Sequence, residues 1–371
     1  MVKFELIISY IFHKSSISLR TLGDFILRNT RKKKTIGESK LSVNNLIITR
    51  AANEVGVSSR HLPDGFIEHT YNEKICYSRD SDFSFENVLA YKMCGNKHIT
   101  SIILSENKLP VPNFRAFSRH ECESAIDYFL AGNRDVVVKP SSGTSKGVGI
   151  SIAPNSRSTF LSAFGKALCY SAAVMVEECV EGENYRFTVL NGKVLTVTHR
   201  MRPCVVADGL NTIGSLISFK NNAFFDPLVE TRQFCPITVD GEVRLLLRKQ
   251  GLTLKSIPEQ GMKIELRRTA DASQGGEIME VTNRCHGDYL EIAARAASLM
   301  NTKLSGIDMI IGDVSCPFET GAAYINEVNT SPGLRIVREP GTTGEADTKV
   351  GKEILAYAFN IDLKVPDGEG G

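Results

Sequence analysis

The oxygen-bearing side chains that could hold a divalent cation fall together late in the chain. Asp308 stands in the apolar run Gly306-Ile307-Asp308-Met309-Ile310, and Glu327 and Asn329 stand in Ile325-Asn326-Glu327-Val328-Asn329. Residues two apart on a strand share a face, so Glu327 and Asn329 point the same way. An acid and an amide on one face, with a second acid on a neighbouring strand, suit Mg²⁺, which takes few protein carboxylates and leaves its other positions to water and nucleotide phosphate. Solvated strand ends are the plainer alternative. A charge inside an apolar run needs a partner, however, which favours the metal reading.

A second group could hold phosphate. Lys139 closes the apolar run Asp135-Val136-Val137-Val138-Lys139, and Pro140-Ser141-Ser142-Gly143-Thr144-Ser145-Lys146-Gly147-Val148-Gly149 follows. Glycines let backbone N–H groups approach an anion, and hydroxyls and lysines add donors and charge. Neither G-x-x-x-x-G-K-[ST] nor G-x-G-x-x-G is present, so a flexible hairpin loop stays open as the alternative. The acidic stretch Glu177-Glu178-Cys179-Val180-Glu181-Gly182-Glu183 follows the run Ala173 to Val176. It reads either as a solvated turn or as a hinge meeting adenine by backbone and ribose through Glu183. Arg186, Arg200 and Arg267 adjoin strand-like residues, where a surface position is the default for an arginine.

The elements that must position these groups alternate between strands and helices. Arg50 to Val57 reads as a helix closed by Gly56, and Phe66 to His69 and Ile75 to Tyr77 as short strands. A helix is predicted over Lys97 to Asn107, stopped by Pro110-Val111-Pro112. Ile150 to Ile152 resumes a strand and Ser156 to Leu168 reads as a helix. Tyr185 to Leu190 and Lys193 to Arg200 flank Asn191-Gly192, a pair that suits a type I′ hairpin turn because both residues need φ > 0. Thr212 to Phe219 and Tyr289 to Met300 are helix candidates, and Gly306 to Ile311 and Ala323 to Val328 are strands. This order implies an α+β fold with subdomains around a cleft. The divisions expected are a basic leader over 1–40, a small α/β subdomain over 41–92, a central subdomain over 93–176, a C-terminal subdomain over 177–361 and a flexible tail over 362–371.

Bulk properties narrow the class. At 371 residues the chain exceeds one compact core. A net charge of +2 creates no overall field toward nucleic acid or membrane, and no partner of either kind is expected. The nine cysteines show neither C-x-x-C pairing nor metal spacing, which suits a reducing cytoplasm. Leu6 to Phe12 is apolar but too short to span a bilayer, and no small-residue cleavage site follows it. Arg31-Lys32-Lys33-Lys34 reads as a solvated loop.

Taken together and in order, the motifs resemble the ATP-grasp region shared by cyanophycin synthetase and bifunctional glutathione synthetase. The match runs from about residue 45 to about residue 340. It is carried by Asn96-Lys97-His98-Ile99-Thr100 with Leu109-Pro110-Val111-Pro112; Val137-Val138-Lys139-Pro140; Gly147-Val148-Gly149; Val176-Glu177-Glu178 through Arg186; Arg200 with Val205-Val206-Ala207-Asp208-Gly209; Gly251-Leu252-Thr253-Leu254 through Leu266-Arg267; Ser273-Gln274-Gly275-Gly276; Gly306-Ile307-Asp308; and Glu327 through Leu334.

The resemblance implies a nucleotide held between two α+β subdomains, and it implies roles. Lys97 and Lys139 would reach ATP phosphates, and the loop with Ser141, Ser142, Gly143, Gly147 and Gly149 would close over them. Glu177, Glu178, Val180 and Glu183 would form the adenine and ribose edge. Asp308, Glu327 and Asn329 would hold Mg²⁺, with Mn²⁺ as an alternative. Arg267 would steady the transferred phosphate, with Arg200 beside the chemistry. Arg186, Arg202, Ser273, Gly275 and Gly276 would shape the substrate end.

The chain departs from the family pattern at Ser101, at Arg202-Pro203-Cys204, at Ala207 and at Arg267-Arg268-Thr269-Ala270-Asp271. Two of these, Arg202 to Cys204 and Arg267 to Asp271, bear on acceptor identity. A chain of this length has no room for a Mur-ligase-like or glutamate–cysteine ligase module, so a stand-alone ligase of amino acids or short peptides is expected, with a homo-oligomer left open. Transfer to a thiol or phosphoryl acceptor, or a nucleotide-binding regulator with a decayed site, are the competing expectations. Residues 1–40 contribute no matched residue and are expected to be dispensable for chemistry.

Overall fold

The computed structural model describes residues 42–132, 135–144, 147–223, 225–226, 231–232, 235–270, 274–334 and 345–363. The leader with its basic run, Ser145, Lys146, Asp271, Ser273 and nearly all of the tail lie outside the described residues.

The described chain opens with α1 (Val43–Glu54), which starts earlier than the predicted helix because Ser42 caps it: the Asn45 N–H donates to Ser42 Oγ at 3.1 Å. Gly56, at φ +73°, turns the chain out of it. Strands β1 (Ser58–His61), β2 (Phe66–Tyr71), β3 (Lys74–Arg79) and β4 (Asp82–Phe83) form an antiparallel sheet in that order. Two helices follow, α2 (Val88–Cys94) and α3 (Lys97–Glu106), the latter capped by Asn96 Oδ1.

The central sheet has the order β5-β8-β6-β7, from β5 (Phe114–Ser118), β6 (Val136–Pro140), β7 (Ser151–Ile152) and β8 (Ala173–Glu178). Helices α4 (Cys122–Ala131) and α5 (Arg157–Leu168) cover it, and Phe117, Ile126, Val138, Phe160, Phe164 and Val176 fill the layer between. Burial of each such side chain contributes roughly 1.5–3 kcal/mol.

The C-terminal part is built on β9 (Glu183–Leu190) and β10 (Lys193–Met201). Asn191 and Gly192 between them both have positive φ, 45° and 80°, as the predicted type I′ turn requires. A small lobe is inserted after β10. It holds β11 (Cys204–Val206), α6 (Ile213–Ala223), the short strands β12 (Phe225–Asp226) and β13 (Thr231–Arg232), α7 (Gly241–Lys249) and β14 (Lys263–Glu265). Its own core contains Val205, Ile213, Ile217, Val243, Leu247 and Ile264.

The chain then returns as β15 (Glu277–Glu280), α8 (Gly287–Leu299), β16 (Leu304–Ile311) and β17 (Ala323–Asn329), completing a sheet of order β15-β10-β9-β16-β17. Its strands alternate. Tyr185, Phe187, Val197, Ile307, Met309 and Val328 face α8 and pack on Tyr289, Ala293 and Ala296. Between them Arg186, Thr198, Asp308, Glu327 and Asn329 point to the other face. The last helix, α9 (Glu345–Phe359), crosses back to α1, where Ile47, Ile48, Ala51 and Ala52 meet Val350, Ile354, Leu355 and Phe359.

Candidate functional site

The polar face of the five-stranded sheet carries the acids. Register places Asp308 opposite both Arg186 on β9 and Glu327 on β17, and Gly306 opposite Asn329. Residues opposite one another on an antiparallel ladder project from the same face. Asp308, Glu327 and Asn329 therefore converge, and Asn329 Nδ2 donates to Asp308 Oδ2 at 3.0 Å. Arg186 clamps the same carboxylate from two atoms, Nε to Oδ1 at 2.6 Å and Nη2 to Oδ2 at 2.5 Å. Burial alone would push the Asp308 carboxyl up. The guanidinium of Arg186, its hydrogen bonds, the charge of Arg200 and the Asn329 amide outweigh that and hold it below the usual carboxylate range. Gly306 makes this clamp possible, because a Cβ there would stand 3.1 Å from Arg186 Cδ and Nε and from Pro332 Cβ.

Lys97 links the acids to the glycine-rich loop. Its Nζ lies 3.1 Å from Glu327 Oε1 and donates to the Thr144 carbonyl at 3.2 Å, while its N–H donates to the Ser141 carbonyl at 2.8 Å. The start of the loop is also tied by the Ser141 and Ser142 hydroxyls, both within hydrogen-bonding distance of Ser171 Oγ. Gly143, Gly147 and Gly149 have φ near +76°, +72° and +82°. At Gly149 a Cβ would also meet Pro140 Cγ at 2.6 Å, so no other residue fits there without displacement.

Lys139 is almost fully buried, and its Nζ pairs with Glu177 Oε1 at 2.6 Å. Glu177 is thus an interior residue of β8 and not part of a solvated acidic turn. The hinge follows directly. The Glu178 N–H donates to the Asn113 carbonyl and the Cys179 N–H to the Asp135 carbonyl, and Val180 comes next, outside the strand. Glu183 opens β9 and its Oε2 lies 3.1 Å from His199 Nε2.

Arg267 departs from the surface position expected of an arginine. It is 4% exposed and joins the N-terminal end of α7, with Nη1 donating to Glu242 at 2.8 Å and Nη2 to Asp240 at 2.8 Å and to the Thr238 carbonyl at 3.0 Å. Its Nε–H is buried and has no hydrogen-bond partner among the described residues. Next to it, Arg268 Nη1 donates to the Ile152 carbonyl at 3.4 Å and Thr269 Cγ2 comes within 3.8 Å of a Cβ built at Gly147, so the inserted lobe touches the loop. Of the residues expected to shape a substrate end, Arg202 lies 3.5 Å from Glu265, and Gly275, at φ +95°, leaves only 2.5 Å between a built Cβ and Ile237.

Sequence reasoning passed over Asp240 and Glu242, the carboxylate partners of Arg267. Only the lobe's packing places these residues, and no local motif marks them.

The residues present fit a magnesium nucleotide. Two carboxylates and an amide are hard oxygen donors. Two part- or fully buried lysines and a loop with three left-handed glycines supply anion donors, and the buried Arg267 Nε–H lacks an acceptor among the described residues. Among the described residues no three His, Cys, Asp or Glu side chains gather as a protein-only metal cluster. Nor is any helix among them long and apolar enough to cross a membrane.

An α+β chain with this central sheet, glycine-rich loop and acid-bearing antiparallel sheet has the ATP-grasp fold. The solved bifunctional glutathione synthetase from Pasteurella multocida superposes with a TM-score of 0.63 at 25% identity, over 86% of this chain and 44% of that one. The chain is a homologue of the bifunctional glutathione biosynthesis proteins. It is 30% identical over 344 residues to the protein of Clostridium perfringens (strain 13 / Type A), covering 90% of this chain and 43% of that one. With the protein of Streptococcus agalactiae serotype V it is 36% identical over 255 residues, 67% of this chain and 33% of that one. It therefore spans less than half the length of these relatives. No protein-family model matches the chain.

Proposed function

We propose that this chain is an ATP- and Mg²⁺-dependent ligase that joins the carboxylate of an amino acid or short peptide to an amine through an acyl phosphate. The observation that carries the reading is the convergence of Asp308, Glu327 and Asn329, with Lys97 bridging Glu327 to the Thr144 carbonyl of the glycine-rich loop. Bound there, ATP supplies the phosphoryl group and Mg²⁺, or Mn²⁺ in its place, neutralises its charge.

The chain's residues do the rest. Lys139 and Lys97 hold phosphate oxygens, and Ser141, Ser142, Gly143, Gly147 and Gly149 cover them with hydroxyls and backbone N–H groups. The Glu177–Val180 segment, with Glu178, borders the adenine, and Glu183 the ribose. Asp308, Glu327 and Asn329 take the cation. Arg267 directs its Nε–H at the transferred phosphoryl group, and Arg200 adds positive charge beside Asp308. Arg186, Arg202, Ser273, Gly275 and Gly276 bound the substrate end. Phosphoryl transfer proceeds through a loose transition state, so positioning and charge neutralisation are the main levers. The acyl phosphate is then attacked by an unprotonated amine, phosphate leaves, and loop closure keeps water from competing.

Hydroxylamine tests the reaction class. Supplied with ATP, Mg²⁺ and a panel of amino acids and dipeptides, it traps an activated acyl group as a hydroxamate without the natural amine. Glu327→Gln should abolish the hydroxamate while the protein stays folded. ADP release without hydroxamate or amide from any acid would instead mean phosphorylation of another acceptor. No ADP release with any acid would mean a nucleotide-binding regulator.

A further inference from the structure

Asp240 and Glu242 are carboxylates that none of these roles uses. Both are half-exposed, and both close on the buried Arg267. Asp240 is the N-cap residue of α7. Its Oδ1 accepts from the Glu242 and Val243 N–H groups at 3.1 and 3.2 Å, and its Oδ2 accepts from Arg267 Nη2 at 2.8 Å. One carboxylate thus fixes the guanidinium relative to the helix. Glu242, in the first turn, takes Nη1 at 2.8 Å, and the Thr238 carbonyl takes Nη2 at 3.0 Å. Burial alone would push the Asp240 carboxyl up. The hydrogen bond and charge of Arg267 and the two α7 N–H groups outweigh that and hold it below the usual carboxylate range.

A guanidinium carries five N–H donors in one rigid plane. With both Nη corners held, the plane cannot turn, and the direction of its Nε–H is set. That donor is buried and has no partner among the described residues. The residues that follow lead to the glycine-rich loop, where Arg268 Nη1 donates to the Ile152 carbonyl and Thr269 approaches Gly147. Glu242 acts toward the same loop. Burial lowers the pKa of Lys166, whose Nζ holds the Ile150 carbonyl, and the charge of Glu242 partly offsets this. Two acids already compensate the charge of Arg267, so what they add at the site is its orientation.

Resting on the ligase reading and on the place of Arg267 in it, we propose that Asp240 and Glu242 are positioning residues, which hold the Arg267 plane so that its Nε–H meets the phosphoryl group in transfer. Neither acid contacts ATP in this arrangement. Adenine, ribose and the remaining phosphates have other partners, so a tilted Arg267 slows transfer without loosening the nucleotide.

The test uses the full chain and hydroxamate formation with the acid that wild type activates best. Glu242→Ala frees Nη1, and Asp240→Ser keeps a capping hydroxyl on α7 while removing the ion pair. Each should lower kcat about tenfold to hundredfold, as small misplacements of a catalytic group do, and leave the KM for ATP and the calorimetric affinity for ADP unchanged. Glu242→Gln keeps an acceptor for Nη1 and should recover most of kcat. In an Arg267→Met background Glu242→Ala should cause no further loss, because the acid then has nothing to position. Wild-type kcat in a folded Glu242→Ala or Asp240→Ser protein would overturn the proposal. So would an equal loss in both backgrounds, or a loss of ADP affinity parallel to that of kcat, which marks general support of the cleft. If Arg267→Met does not fold, the split between kcat and ADP affinity and the rescue by Gln still decide. Wild-type kcat in a folded Arg267→Met protein would overturn the place of Arg267, and this inference with it. Absence of hydroxamate from every acid with wild type would instead overturn the ligase reading on which both rest.

Discussion

Lys139 and Glu177 show what one buried contact implies for both stability and binding. The pair is closed at 2.6 Å with both side chains nearly out of solvent. Removing one partner of a buried ion pair leaves the other charge unpaired in the interior, which costs about 3–5 kcal/mol. Lys139→Met should therefore lower the denaturation midpoint sharply, and adding Glu177→Gln should restore much of it. ATP affinity, measured by calorimetry at a temperature where each protein is folded, should fall about tenfold or more in both, because a charge-assisted hydrogen bond to phosphate is worth about 1.5–3 kcal/mol. Recovery of ATP affinity along with stability would mean that Lys139 supports only the sheet. The lysine itself is legible in the sequence, since it ends an apolar strand just before a glycine-rich run. Its partner is not, because Glu177 sits at the start of an acidic stretch that reads as solvated. The same holds across the candidate site: Asp308, Glu327 and Asn329 declare themselves by their spacing in apolar runs, whereas the Arg186 clamp depends on which strands become neighbours.

At the scale of elements, the sequence shows the helices α3, α5 and α8 and the β9–β10 hairpin, but not β1, β5, α2, α4, α7 or the longest helix, α9. Those elements are short, or they carry polar residues, and they are stable because the sheet or core they join buries one face. The N-terminal sheet is an example. His69 on β2 is fully buried between two hydroxyls, with Ser59 Oγ 2.9 Å from Nδ1 and Ser78 Oγ 2.9 Å from Nε2. Burial, and secondarily the charge of His61, push its pKa down to about 4. The unfolded chain takes up this proton near pH 6.5, the folded one only near 4, so the neutral imidazole contributes stability above pH 6.5 that is lost as pH falls toward 4. The loss amounts to at most about 3 kcal/mol. Urea denaturation from pH 7.5 to 4.5 should show a shallower loss of stability in a folded His69→Gln protein than in wild type, and parallel curves would reject the assignment.

The glycine-rich loop is a second case. It is anchored by Lys166 Nζ on the Ile150 carbonyl at 2.8 Å and by Lys97 on Thr144, while its glycines impose no side-chain contacts of their own. Protease cleavage within residues 141–149 should slow when Mg²⁺ and a non-hydrolysable ATP analogue are added. Unchanged cleavage together with unchanged hydrogen exchange would count against closure of the loop over nucleotide.

Across the whole molecule, the least legible feature is that α9, near the end of the described chain, supplies Val350, Ile354, Leu355 and Phe359 to the core of the N-terminal part. Nothing local signals this, since α1 and α9 lie at opposite ends of the described chain and the run that forms α9 is not read as a helix from the sequence. The contact is close. A Cβ built at Gly351 would stand 2.7 Å from Ala51 Cβ and 3.4 Å from the Ile47 carbonyl, so the two helix backbones approach where only glycine and alanine fit. Around this crossing Val350, Ile354, Leu355 and Phe359 fill the space over α1, and the segment just after β17 is held to the same region by the Leu334 N–H, which donates to Asn44 Oδ1 at 3.0 Å. Ser331, two residues after Asn329, lies within hydrogen-bonding distance of Ser81 at 3.3 Å, so the strand carrying the candidate cation site runs directly into this interface. Gly351→Val must push the helices apart, and overpacking of a well-filled core typically costs about 1–3 kcal/mol. The substituted protein should melt earlier, and hydrogen exchange should rise in α1 and α9 together while the α4 and α5 layer keeps its protection. Because α1 and its sheet brace the segment after Asn329, affinity for the ATP analogue with Mg²⁺ should also weaken, although residue 351 contacts none of the candidate site residues. Unchanged melting, or exchange that rises equally in all parts of the chain, would show that the crossing does not couple the N-terminal part to the site.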